Sequence, residues 1–167
     1  MWIGLVGSEM CIRDRNKLLF FFLLFYFHVA NVYSDIIKPN TKIEPYNVVE
    51  IQLISLKNND KPDKDFGIEQ TWEFAHPENK INTGPLNNFK KMLKNEIYSI
   101  LLNHKDHKIE EIYNNKKIAI YDVIILGSDN FYYEFKWQVE RYDGKGSLNN
   151  CWLTTAVSNP VSLGASI

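Results

Sequence analysis

Cysteine is nearly absent from this chain of 167 residues, with only Cys11 and Cys151 present. Cys11 precedes the one long apolar run, so a domain beginning after that run holds a single thiol and forms no intramolecular disulfide. An excess of charge of either sign is also missing. The formal net charge is -1, and it becomes -2 once Met1 to Ser34, with three basic and two acidic residues, are set aside. That balance excludes the electrostatic footprint of a nucleic-acid binder and gives no attraction to anionic lipid. No apolar stretch reaches the roughly 20 residues that cross a bilayer as a helix. Glycine never takes the spacing of a phosphate loop: Thr83-Gly84-Pro85 and Asn58-Asn59-Asp60 carry turn and cap chemistry instead. Internal repeats and low-complexity tracts are absent too. What remains is 45% hydrophobic and 14% aromatic, ample for one packed core.

The longest apolar run, Leu18 to Ala30, spans thirteen residues and follows Arg13, Arg15 and Lys17. Basic residues, an apolar segment and then Val32-Tyr33-Ser34 have the shape of a signal peptide over residues 16–34, with cleavage after Ser34. Export to a periplasm, an extracellular space or an organelle lumen is the expectation, with membrane contact only if the segment stays uncleaved. Gly7 to Arg15 resembles a string that recurs as translated sequencing-adapter read-through, so residues 1–15 are expected to be non-native. Residues 35–45 carry two prolines and no periodicity and read as a flexible lead.

A single domain is expected over residues 46–157. Val49, Leu53 and Leu56, widened by Val48 and Ile51, predict a first amphipathic helix that ends at Asn58-Asn59-Asp60. Ile68, Trp72 and Ala75 predict a second from Asp65, stopped by Pro77. Pro85 predicts the start of a third, with Leu86, Phe89 and Leu93 inward. Beyond Lys108 the period becomes two. Strands are expected at 109–113, 117–126, 131–141 and 151–157, and residues 158–167 read as an irregular C-terminal extension. In the third strand Phe131, Tyr133, Phe135, Trp137 and Val139 share one face, and Tyr132, Glu134, Lys136, Gln138 and Glu140 take the other. Helices first and strands after give an α+β class: three N-terminal helices packed on a curved, four-stranded antiparallel sheet.

Several spaced blocks have a familiar order: Val48 to Leu53, Leu56 to Asp60, Gly67-Ile68, Trp72 to Pro77, Thr83 to Leu86 with Phe89, Leu101 to His104, and Cys151 to Thr155. Over about Asn47 to Val157 the chain resembles the domain of unknown function 4864 family. The resemblance implies a cone of the nuclear-transport-factor-two-like, or cystatin-like, kind. It implies no activity, because folds of that kind host isomerases, dehydratases and plain binding modules alike. Leu153 departs from the Met of relatives, a volume-conserving core exchange.

The mouth of such a cone is the default place for a ligand, and the residues expected near it are Trp72, His76, Tyr98, His104, Tyr133, Trp137 and Trp152. Core packing is the plainer reading of Trp72, Tyr133 and Trp137. His76, read as the end of a helix, caps free carbonyls there, or acts as a general base with Glu134 or Glu73. The pair His104 and His107 has metal-ligand spacing, but three neighbouring lysines favour a solvated loop without metal. Cys151 reads as a buried, inert thiol. No cofactor is expected. The expected role is non-catalytic binding of a small, partly apolar ligand or of a protein partner, with an isomerase or lyase, and a structural dimerisation module, as alternatives.

Overall fold

The computed structural model describes residues 35–165, and the adapter-like and export segments lie outside them. Among the described residues no helix is long and apolar enough to cross a membrane. The architecture is α+β: four α-helices and a five-stranded antiparallel open sheet. The helices are α1 (Pro45–Lys57), α2 (Phe66–Glu73), α3 (Pro77–Thr83) and α4 (Leu86–Leu93), followed by a 3-10 turn at Ser99–Leu101. The strands are β1 (Asp106–Asn114), β2 (Ile118–Leu126), β3 (Phe131–Arg141), β4 (Trp152–Val157) and β5 (Val161–Ala165).

Helix α1 starts at Pro45 because a first helical position has no intrahelical partner for an amide hydrogen. It buries Val48, Val49, Gln52, Leu53 and Leu56 on one face. Helix α2 packs closely on the C-terminal end of α1 at Gly67. A Cβ on Gly67 would stand 2.1 Å from the Ser55 carbonyl oxygen, so only glycine lets the two backbones meet. Buried Asn59 fixes the corner between them, its carbonyl accepting from Gly67 N–H (3.0 Å) and its side chain from Ile68 N–H (3.1 Å). Asp65, the residue before α2, has a left-handed backbone (φ 66°) and reaches Lys94 at 2.7 Å and Lys90 at 3.9 Å. Those lysines tie α4 to the start of α2, and Lys94 foremost holds the Asp65 carboxyl below its ordinary value. Lys90 also meets Glu69 at 2.7 Å.

Two expectations are corrected here. Pro77 does not end the helical region. It opens α3, which makes four helices rather than three, because a proline that forbids continuation of one helix is well suited to begin the next. The residues from Val161 are not irregular. They form β5, so the sheet has five strands rather than four. Pro160 and Gly164, whose φ is 106°, hid a strand of only five residues.

Strand β3 is the sheet's spine. It pairs with β2 along one edge over Tyr132 to Glu140, and along the other with β4 (Trp137 to Arg141) and β5 (Phe131 to Glu134). Ser158 bridges the gap between β4 and β5: its N–H donates to the Lys136 carbonyl, and its hydroxyl accepts from Lys136 N–H, both at 2.9 Å. From Ser147 through Ala165 no side chain carries a charge, so no salt bridge attaches either strand. Phe135, Trp137 and Val139 of β3 and Ala119, Tyr121, Val123 and Ile125 of β2 face the helices and are fully buried. Each of the larger ones contributes on the order of 2 kcal/mol through burial. The alternation expected for residues 131–139 holds, although Phe131, at the sheet's open end, is 42% exposed.

Substituting Gly67→Ala forces the α1 backbone away from α2. The expected loss is about 2–3 kcal/mol of stability, read as a lowered urea midpoint with an unchanged slope.

Candidate functional site

A cavity of about 260 Å³ lies between the helices and the β3–β4 side of the sheet. Leu56, Phe89, Met92, Leu93 and Leu101 give it an apolar wall. Three aromatic side chains join them, Trp72, Tyr98 and Trp137, with the Trp72 ring tilted on Phe89 at 5.0 Å between centroids. The polar part of the wall is uncharged, built from Gln52, Thr71, Asn79, Thr83, Thr154 and Thr155, and Ala75, Ala156 and Val157 complete the lining. No Asp, Glu, Lys, Arg or His lines the cavity.

The polar wall is organised by one buried network. Gln52, 1% exposed, accepts at Oε1 from the Thr154 hydroxyl (2.6 Å) and from the Trp137 indole N–H (3.2 Å), and its Nε2 donates to the Thr71 carbonyl (3.1 Å). The indole can only donate, so the Gln52 oxygen must face it. Thr154 Oγ1 stands 3.3 Å from the same indole nitrogen. Asn79 of α3 donates both amide hydrogens to β4, to the carbonyls of Thr154 (3.1 Å) and Thr155 (2.8 Å). Sequence reading missed Gln52, Asn79 and Thr154. The available signal was a glutamine on the inward stripe of α1, where a polar side chain must find buried partners.

Of the residues expected at the mouth, Trp72, Tyr98 and Trp137 line the cavity, and His76, His104, Tyr133 and Trp152 do not. The Tyr98 hydroxyl is 3.4 Å from both the Val157 carbonyl and Asn159 Oδ1. Trp137 is both a core residue, 1% exposed, and a lining one. His76 is corrected in position. It precedes α3 instead of closing α2, and its Nδ1 accepts from Glu78 N–H (3.2 Å), which makes it an N-cap; its ring lies edge-on to Tyr142 at 5.4 Å. Of its proposed carboxylate partners, Glu73 pairs with Lys38 at 2.9 Å. Glu134 sits opposite Ile124 and Val161 in the sheet, and neither carboxylate reaches the cavity.

Tyr133 closes the β2–β3 turn, its hydroxyl donating to Asp129 at 2.6 Å; that bond first, then burial, raises the phenol above its ordinary value. Trp152 is 4% exposed beneath the Arg141 guanidinium, 5.2 Å from the ring, and its indole N–H has no partner among the described residues. Cys151 is fully buried, and burial pushes its thiol up.

The solvated-loop reading of His104 and His107 is overturned. His104 is 2% exposed, and His107 belongs to β1. His104 Nδ1 lies 2.7 Å from the Leu101 carbonyl and its Nε2 lies 2.9 Å from His107 Nδ1. A carbonyl only accepts, so His104 carries its proton on Nδ1 and accepts at Nε2 from His107 Nδ1–H. Both ring nitrogens of His104 are thus engaged, whereas Nε2 of His107 has no hydrogen-bond partner among the described residues. Burial drives the His104 pKa down to about 4, opposed by the Leu101 carbonyl, with His107 and Lys57 lowering it further and Asp106 raising it. Burial, then Lys57, also lowers His107, with Asp106 and Glu50 acting against them.

No family model, no curated protein and no solved structure matches this chain.

Two outcomes follow from this geometry. Both histidines titrate lower in the folded than in the unfolded chain, so between about pH 6.5 and 4 the unfolded state binds more protons. Stability is therefore full above pH 6.5 and falls toward pH 4, by about 3 kcal/mol from His104, and His104→Gln flattens that slope in urea titrations at stepped pH. Replacing Gln52→Leu leaves the Trp137 indole, the Thr154 hydroxyl and the Thr71 carbonyl short of a partner. Unfolding by urea should show a loss of about 2–4 kcal/mol.

Proposed function

We propose that the chain is a non-catalytic binding module that holds a small, partly apolar ligand in the cavity between the helices and the β3–β4 side of the sheet. One observation carries this reading: the lining combines an apolar wall with six uncharged polar side chains and contains no histidine and no carboxylate. General acid–base chemistry needs a titratable group within hydrogen-bond reach of the reacting atom, and the hydroxyl of Tyr98, the titratable side chain of this lining, is engaged with Val157 and Asn159. His76, Glu73 and Glu134 all stand outside the cavity, which weighs against the isomerase or lyase alternative. An interior with about 260 Å³ of open space weighs against a purely structural dimerisation module, whose interior would be filled.

The same proposal includes the finer fold reading, a cone in which the sheet bends around the helices, and kinship with the domain of unknown function 4864 family. It also includes export by residues 16–34. The β4–β5 handover on the β3 edge, and the bulge between Gln138 and Val139, are devices that bend sheets and support the cone.

Met92, half-buried on α4, provides the cleanest test. Met92→Trp fills the cavity with an indole while leaving the Gln52 network untouched. Binding of butylbenzene, an uncharged probe of cavity size, should weaken by at least about tenfold in calorimetric titration. Undiminished binding by a folded Met92→Trp variant would place the ligand elsewhere and end the proposal.

A further inference from the structure

The amide groups in the cavity wall have hydrogen-bonding capacity that the fold does not use. Gln52 is held so that its oxygen takes Thr154 and Trp137, while its nitrogen donates one hydrogen to the Thr71 carbonyl. The second amide hydrogen has no partner among the described residues. Asn79 is the reverse case. Both its amide hydrogens go to β4 carbonyls, which fixes the orientation of the group and leaves Oδ1 without a donor among the described residues. The wall therefore presents one donor from a side chain only 1% exposed and one acceptor from α3, both electrically neutral.

Charge is excluded by the same lining. An ionised ligand entering this space would lose its hydration and meet no opposite charge in return. Lys80 is a basic group in contact with a lining residue, its ammonium 5.3 Å from the Trp72 ring centroid and donating to the Glu73 carbonyl at 3.3 Å. A volume of about 260 Å³ suits a body of about a dozen non-hydrogen atoms, at the small end of ligand sites.

Resting on the binding reading above, we infer that the cavity selects uncharged ligands whose polar group both accepts and donates a hydrogen bond, a carboxamide or a hydroxyl on a compact aromatic or aliphatic body. The accepting atom meets the Gln52 amide hydrogen and the donating atom meets Asn79 Oδ1. A site built to satisfy such a group rejects analogues that leave its own polar atoms unpaired.

The test is a matched series titrated calorimetrically into the full chain at pH 7.5: 4-phenylbutyramide, 4-phenylbutyrate, 4-phenylbutylammonium and butylbenzene. The amide should bind at least about 30-fold tighter than either ion and about tenfold tighter than butylbenzene. An ion within about threefold of the amide overturns the inference, and a tighter carboxylate would make Lys80 its counter-ion. Equal binding of amide and butylbenzene also overturns it, yet leaves the binding module standing. Silence from all four probes overturns both. Asn79→Ala should weaken the amide about five- to tenfold more than it weakens butylbenzene. Butylbenzene reports any change in the cavity itself, and an amide loss no larger than the butylbenzene loss refutes the acceptor role.

Discussion

The bond set around Gln52 is the constraint on which the rest of the structure depends. A glutamine on the inner face of α1 would be costly to bury alone, by about 1–3 kcal/mol for each unpaired polar group. Here it links α1 to β3 through Trp137, to β4 through Thr154 and to α2 through the Thr71 carbonyl. Apolar contacts tolerate sliding, whereas a directed network accepts one register. The same three side chains line the cavity, so what fixes the helices on the sheet also sets the chemistry of its polar wall.

A second coupling joins the outer edge of β4 to the stretch between α2 and α3. Ala75 and Thr154 form a parallel bridge, Thr154 N–H donates to the Phe74 carbonyl (2.8 Å), and His76 N–H donates to the Thr154 carbonyl (2.9 Å). Three residues thus act as a fragment of strand between two helices. Without that fragment β4 would present unpaired backbone groups to solvent. With it, α3 is delivered to the sheet edge and brings Asn79 and Thr83 to the cavity.

Much of this was legible from residue spacing. The inward stripes of α1 and α4 and the alternation in β3 follow from apolar periodicity, which is set by burial on one face. The helix α3 was lost because Pro77 signals an end and a beginning with equal force, and only the Glu78 amide bonded to His76 tells which. Strand β5 was lost because five residues containing a glycine give too short a pattern. In the site, aromatic content pointed to Trp72, Tyr98 and Trp137. Lysines near His104 pointed outward while the ring itself turned in, since neighbours in sequence do not report which way a single side chain packs. Gln52 and Asn79 escaped because an amide has no spacing signature. Their role exists only where α1, α3 and β4 converge.

The ion pairs between Asp65, Glu69 and the two lysines of α4 tie together the helices that wall the cavity, whereas β4 and β5 carry no charge at all. The helical wall of the chamber is thus tied by ion pairs that dissolved salt screens, and the β4 wall by no ion pair. Since surface pairs contribute little individually, added salt would loosen α4 slightly against α2 while the sheet stayed fixed. Dissolved ions thereby act on the α2–α4 contact, while buried Phe89 and Leu93 keep α4 in place.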